Sequence, residues 1–78
     1  MRTSTPDKRL QLLISKFKYS QRELASIVGV TESAMCHYLK GDREPSAKIL
    51  VNIANNTGVS PSWILGYGSD KKIEKIKE

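Results

Sequence analysis

Apolar residues recur along this chain at helical rather than strand spacing. Leu10, Leu13, Ile14 and Phe17 follow at i, i+3, i+4 and i+7, which marks one face of a helix. Thr5-Pro6-Asp7, just ahead of them, supplies a capping hydroxyl, a proline suited to the first helical position and an acid that complements the dipole. Lys8, Arg9, Lys16 and Lys18 fall mostly on the other side. A second helix opens at Ser20, where Glu23 three positions on completes a capping box. Leu24, Ile27 and Val28 form its apolar face, Ala25 is small enough for another helix to approach, and Gly29 suits a left-handed end. Thr31 caps a third helix over residues 32–39, which Gly41 terminates. A fourth starts after Ser46, buries Ile49, Leu50, Ile53 and Ala54, and stops near Gly58. Ser60-Pro61 caps a fifth, which carries Trp63, Ile64 and Leu65 to Gly66. Alternating strand patterns and internal repeats are absent. The expected fold class is all-α: a compact five-helix domain over residues 1–67, then a charged tail or linker over 68–78 that reads as a frayed helix or a disordered segment.

The 78 residues leave room for one small core. Thirteen Lys and Arg against eight Asp and Glu give a net charge of +5, which favours an anionic partner without identifying it. A single cysteine, Cys36, excludes an internal disulfide, and a single histidine, His37, excludes a multi-ligand zinc site of the usual kind. No metal or cofactor is expected. Apolar runs of only three or four residues do not span a membrane, and no secretory signal opens the chain, so a cytoplasmic protein is expected. Catalysis is not expected either. Cys36 and His37 are adjacent and point about 100° apart on a helix, so they do not form a nucleophile–base pair. Paired carboxylates and a phosphate-cradling glycine loop are missing.

The third helix is the informative one. Ala34, Met35, Tyr38 and Leu39 share one face, while Glu32, Ser33, Cys36 and His37 share the opposite one. Two short helices joined at Gly29-Val30-Thr31 are the arrangement that DNA-binding helix-turn-helix units use. Leu24, Val28, Val30, Met35 and Tyr38 glue the pair to the rest of the domain. The polar face of the third helix is then left to enter a groove about 12 Å wide.

From Asp7 to Gly66 the residues resemble the lambda-type phage repressor and Cro helix-turn-helix domains. The resemblance rests on Ser-Gln-Arg-Glu-Leu-Ala at 20–25, Gly-Val-Thr at 29–31, Tyr38, Gly41, Pro45, and Thr-Gly-Val-Ser-Pro-Ser-Trp-Ile-Leu-Gly at 57–66. It implies a sequence-specific transcriptional regulator, a repressor of phage or mobile-element type, that binds double-stranded DNA. Helix three docks in the major groove, and a homodimer meets a pseudo-palindromic operator. Carried over by position, Gln21 meets the phosphate backbone, and Glu32, Ser33 and His37 read base edges. Lys40 and Arg43 grip phosphates from the following loop, with Lys48 a further candidate.

Each role has a plainer counterpart. Glu32 either accepts from cytosine N4 or simply suits a helix N-terminus. His37 contacts a base or a phosphate. Gln21 is otherwise an exposed first-turn residue, the cations are otherwise solvated, and Cys36 is a small spacer. Two departures from the family's pattern stand out: Glu32 is acidic, and Asp42 with Glu44 dilutes the positive loop. They keep open an alternative of another class, a protein-interaction module such as an antitoxin or anti-repressor. The expected dimer surface is helix five and its flank, through Trp63, Tyr67, Ile73 and Ile76, with Trp63 otherwise packing helix five. Domains ending in such a Trp-Ile-Leu-Gly segment also precede further modules in longer repressors.

Overall fold

Local signals and helix positions agree closely. The computed structural model describes residues 3–75, with α1 at Pro6–Phe17, α2 at Gln21–Val28, α3 at Glu32–Lys40, α4 at Ala47–Thr57 and α5 at Pro61–Leu65. The protein is all-α, and the one extended pairing among the described residues is an isolated bridge between Val59 and Lys75. The capping box forms as its spacing requires: Glu23 N–H donates to Ser20 Oγ at 3.0 Å, and Ser20 N–H donates to Glu23 Oε1 at 2.9 Å. Thr31 and Ser46 accept from the amides of Ala34 and Ile49. Two expected caps differ. Neither Thr5 nor Ser60 makes a side-chain cap bond, and each precedes a proline that has already removed one orphan amide. Ser60 Oγ instead meets Ser62 Oγ at 2.9 Å. The Thr5 hydroxyl bonds the Asp7 carboxylate and holds that carboxyl below its ordinary pKa.

α3 packs against both α1 and α2, α4 backs α2, and α5 closes against α1 and α4. Leu10, Leu13, Leu24, Met35, Ile53 and Ile64 are buried at the centre of this arrangement. Gln11 Nε2 on α1 donates to the Leu39 carbonyl at 2.8 Å, latching the end of α3 from outside the core.

Arg9 departs from expectation. Assigned by periodicity to the solvent side, it is completely buried. Its Nε donates to Asp70 Oδ1 at 2.7 Å, and Nη1 donates to the carbonyls of Trp63 at 2.8 Å and Tyr67 at 3.0 Å. Nη2 donates to the Gly68 carbonyl at 2.7 Å and to Thr3 Oγ1 at 3.3 Å. The guanidinium carbon lies 4.6 Å from the centre of the Trp63 ring.

Two further corrections follow from the same cluster. Trp63 was a dimer-surface candidate, but its side chain is completely buried, with Nε1 donating to the Ser69 carbonyl at 2.9 Å. It packs α5 and offers nothing to a second copy. The segment expected as a tail from residue 68 is tied down as far as Lys75 instead. Asp70 holds Arg9, Ser60 N–H donates to the Glu74 carbonyl at 2.8 Å, and Ile73 packs half-buried against the core. Ile76 lies outside the described residues.

Replacing Arg9 with Ala should destabilise the domain by about 3 kcal/mol or more, because it strips several buried carbonyls of their donor. Asp70→Ala should cost less, about 1–2 kcal/mol, because Asp70 is 55% exposed and Arg9 keeps its carbonyl partners. Urea unfolding of the two variants checks both the sign and the order.

Candidate functional site

The α2–turn–α3 unit is held at each junction by a bond that its sequence prepares. Gly29 ends α2 at φ +83°, and its N–H reaches the Ala25 carbonyl at 2.9 Å. Val30 N–H donates to the same carbonyl at 3.0 Å, which turns the chain tightly into Thr31. Ala25, expected to be small for close approach, is buried. From α4, Asn52 Nδ2 donates to the Val28 carbonyl at 3.0 Å, satisfying a C-terminal acceptor of α2 that no helical amide reaches. Asn52 had not been singled out, since nothing local to it in the chain signals that bond.

α3 is anchored from one side only. Met35 and Tyr38 are buried, and Ala34 and Leu39 pack partly against the core. On the opposite side Glu32 and Ser33 are exposed and Cys36 and His37 are half-buried. The hydrophilic face therefore points out of the monomer, as its spacing implies.

Around that face lie the other candidates. Gln21, at the first position of α2, is exposed, and its Nε2 donates to the Glu32 carbonyl at 3.3 Å. Arg22, which sequence reasoning passed over, pairs through Nε with Glu32 Oε1 at 3.1 Å. His37 Nδ1 meets Asp42 Oδ2 at 3.3 Å, so one ring nitrogen is engaged by the acidic loop. Lys40 is the last residue of α3 rather than part of the loop, the helix running one residue further than expected. Arg43 and Lys48 are exposed, on the loop and on the first turn of α4. Gln21, Glu32 and Ser33 thus cluster where α2 meets the start of α3. Lys40 and Arg43 lie at the far end of α3 and in the loop after it, and Lys48 lies on the first turn of α4.

This arrangement defines a class: a helix-turn-helix unit with an outward polar second helix, inside a five-helix domain. Residues 8–67 match the helix-turn-helix domain family, and the chain belongs to it. Over 56 residues, 72% of this chain, it is 38% identical to an uncharacterised HTH-type transcriptional regulator, YqaE, of Bacillus subtilis. It is 29% identical over 68 residues, 87% of this chain, to the HTH-type transcriptional regulator DicA of Escherichia coli. A third relative, an uncharacterised HTH-type transcriptional regulator of Haemophilus influenzae, is 39% identical over 70 residues, 90% of this chain. The matches span 48%, 50% and 28% of those three proteins, so the chain corresponds to about half of their length or less. Among solved structures, the DNA-binding domain of the P22 c2 repressor in solution superposes with a TM-score of 0.78 at 24% identity, covering 92% of this chain and 95% of that one. At that identity the likeness establishes the fold.

The turn can be tested directly. A Cβ on Gly29 would meet only Asn52 Nδ2, at 4.0 Å, so Gly29→Ala pays a purely conformational penalty of about 1–2 kcal/mol for its left-handed backbone. At Gly66 (φ +111°) the added carbon would overlap the Ser4 carbonyl as well, so Gly66→Ala should lower the melting temperature further. Thermal unfolding of the two variants side by side measures the difference.

Proposed function

We propose that this domain is the DNA-reading part of a transcriptional regulator, a repressor of phage or mobile-element type, with α3 seated in the major groove of double-stranded DNA. One observation carries the reading: α3 is fixed from behind by buried Met35 and Tyr38 while its first turn presents Glu32 and Ser33 to solvent, on a turn-linked pair of the family's kind. A helix held this way projects its N-terminal side chains without moving the core. Relatives called HTH-type transcriptional regulators, and a repressor's DNA-binding domain with the same fold, support the reading. Such a regulator acts in the cytoplasm.

In this reading Ser33, His37 and Glu32 read base edges, His37 through the ring nitrogen that Asp42 does not engage. Gln21, Lys40, Arg43 and Lys48 meet phosphates and set the register. One short helix spans few base pairs, so a two-fold dimer with recognition helices about 34 Å apart on a pseudo-palindromic operator completes the specificity. Tyr67, 41% exposed just after α5, and the half-buried Ile73 are the described candidates for the dimer seam.

Selection of sites from random duplexes, with sedimentation to count protomers, tests groove docking and stoichiometry together. Ser33→Ala or His37→Ala should cost about 1–3 kcal/mol on the selected site and little on random DNA. Equal losses on both would remove the base-reading role. Lys40→Ala should weaken every sequence alike and shallow the log–log salt dependence by about 0.9. Binding that ignores salt would count against the whole reading.

A further inference from the structure

A carboxylate at the entry of α3 is costly to bring against a polyanion, and its contact with Arg22 on the first turn of α2 bears on that cost. Gln21 Nε2 holds the Glu32 backbone carbonyl at 3.3 Å, and Arg22 Nε holds the Glu32 side chain through Oε1 at 3.1 Å. The side chains of Arg22 and Glu32 are 81% and 54% exposed, so the pair lies open on the outward side of the unit. In free solution such a pair contributes little, because water screens it and two long side chains must be ordered. Inside a groove, with water displaced, the same contact strengthens and fixes geometry.

The pair also leaves unused valences on both sides. Arg22 spends Nε on Glu32, and its two Nη groups still carry four N–H donors suited to phosphate oxygens. Glu32 spends Oε1 and retains Oε2 as an acceptor. Two bases offer a donor in the major groove, cytosine through N4 and adenine through N6. Adenine N6 sits beside the N7 acceptor, whose lone pair repels a carboxylate, so a Glu side chain there favours cytosine.

We infer that Arg22 is a positioning residue for sequence readout: it neutralises and aims the Glu32 carboxylate so that Oε2 selects cytosine, while its Nη groups hold a neighbouring phosphate. The inference rests on the groove-docked reading of α3 proposed above.

Site selection from random duplexes with the full chain tests it, using wild type, Arg22→Ala, Glu32→Gln and the double variant, all checked by thermal melting. The wild type should enrich cytosine at one position of each half-site. Glu32→Gln should move that preference to adenine, since an amide matches N6 and N7 together. Arg22→Ala should erase the cytosine preference, about tenfold in relative affinity, while leaving the other positions selected. In the double variant adenine should still be preferred, with affinity lowered by one factor on all sequences. Arg22→Ala that weakens every sequence equally and keeps the cytosine preference overturns the positioning role and leaves groove docking intact. A wild type that enriches sequences without a Glu32-dependent cytosine overturns it likewise. A wild type that enriches no sequence overturns the docking of α3 itself, and the Arg22 role with it.

Discussion

A guanidinium without access to water has five N–H groups to satisfy, and the fold of this chain is organised around doing so for Arg9. Asp70, the carbonyls of Trp63, Tyr67 and Gly68, and Thr3 Oγ1 all converge on it, and the Trp63 ring lies against its face. These partners come from the N-terminal segment, from α5 and from the segment beyond it. A single side chain on α1 therefore joins both ends of the described chain. The carbonyl bonds matter most, because leaving them unmade would strand polar groups beside a fully buried guanidinium. Among the described residues no such stranded side-chain atom exists.

That clamp explains why a five-residue helix holds its place. α5 is too short to be stable alone, and its N-cap hydroxyl makes no cap bond. It is retained by Trp63, which is buried over Arg9 and bonded to Ser69, and by Ile64 in the core. The segment from Gly68 to Lys75 lies over α5 for the same reason. With its charged residues it has little apolar surface of its own, and its order derives from Asp70, Ile73 and the backbone pairing of residues 59 and 60 with 74 and 75.

At the other side of the molecule the α2–α3 unit depends on hydrophobic anchoring with polar trim. Met35 and Tyr38 fix the axis and rotation of α3, Gly29 and Thr31 fix the turn, and Asn52 and Gln11 satisfy carbonyls at the ends of α2 and α3. Two side-chain contacts order the face left over: Arg22 pairs with Glu32, and His37 Nδ1 meets Asp42 Oδ2. The net positive charge of the chain is thus not spread over this surface as a simple basic patch. Acidic groups sit on it in specific contacts, Glu32 with Arg22 and Asp42 with His37.

Much of this was legible in the chain because the forces concerned are local. A capping box closes over three residues, a left-handed glycine ends the helix it follows, and an apolar stripe repeats every turn, so the helices, the turn at residues 29–31 and the outward face of α3 could all be read from spacing. Glu32 and Ser33 share the start of that outward face for the same reason. What spacing does not carry is the choice between two environments for one side chain. Periodicity gave Arg9 to solvent and Trp63 to either the core or a seam, yet Arg9 is buried by a partner 61 positions away, and Trp63 with it. The Arg22–Glu32 pair spans 10 positions and exists only because the turn brings the first turns of α2 and α3 side by side. Residue order alone set where the helices begin, end and turn; tertiary packing decided which charges are buried and which are paired, because those energies depend on distances that only the closed chain creates.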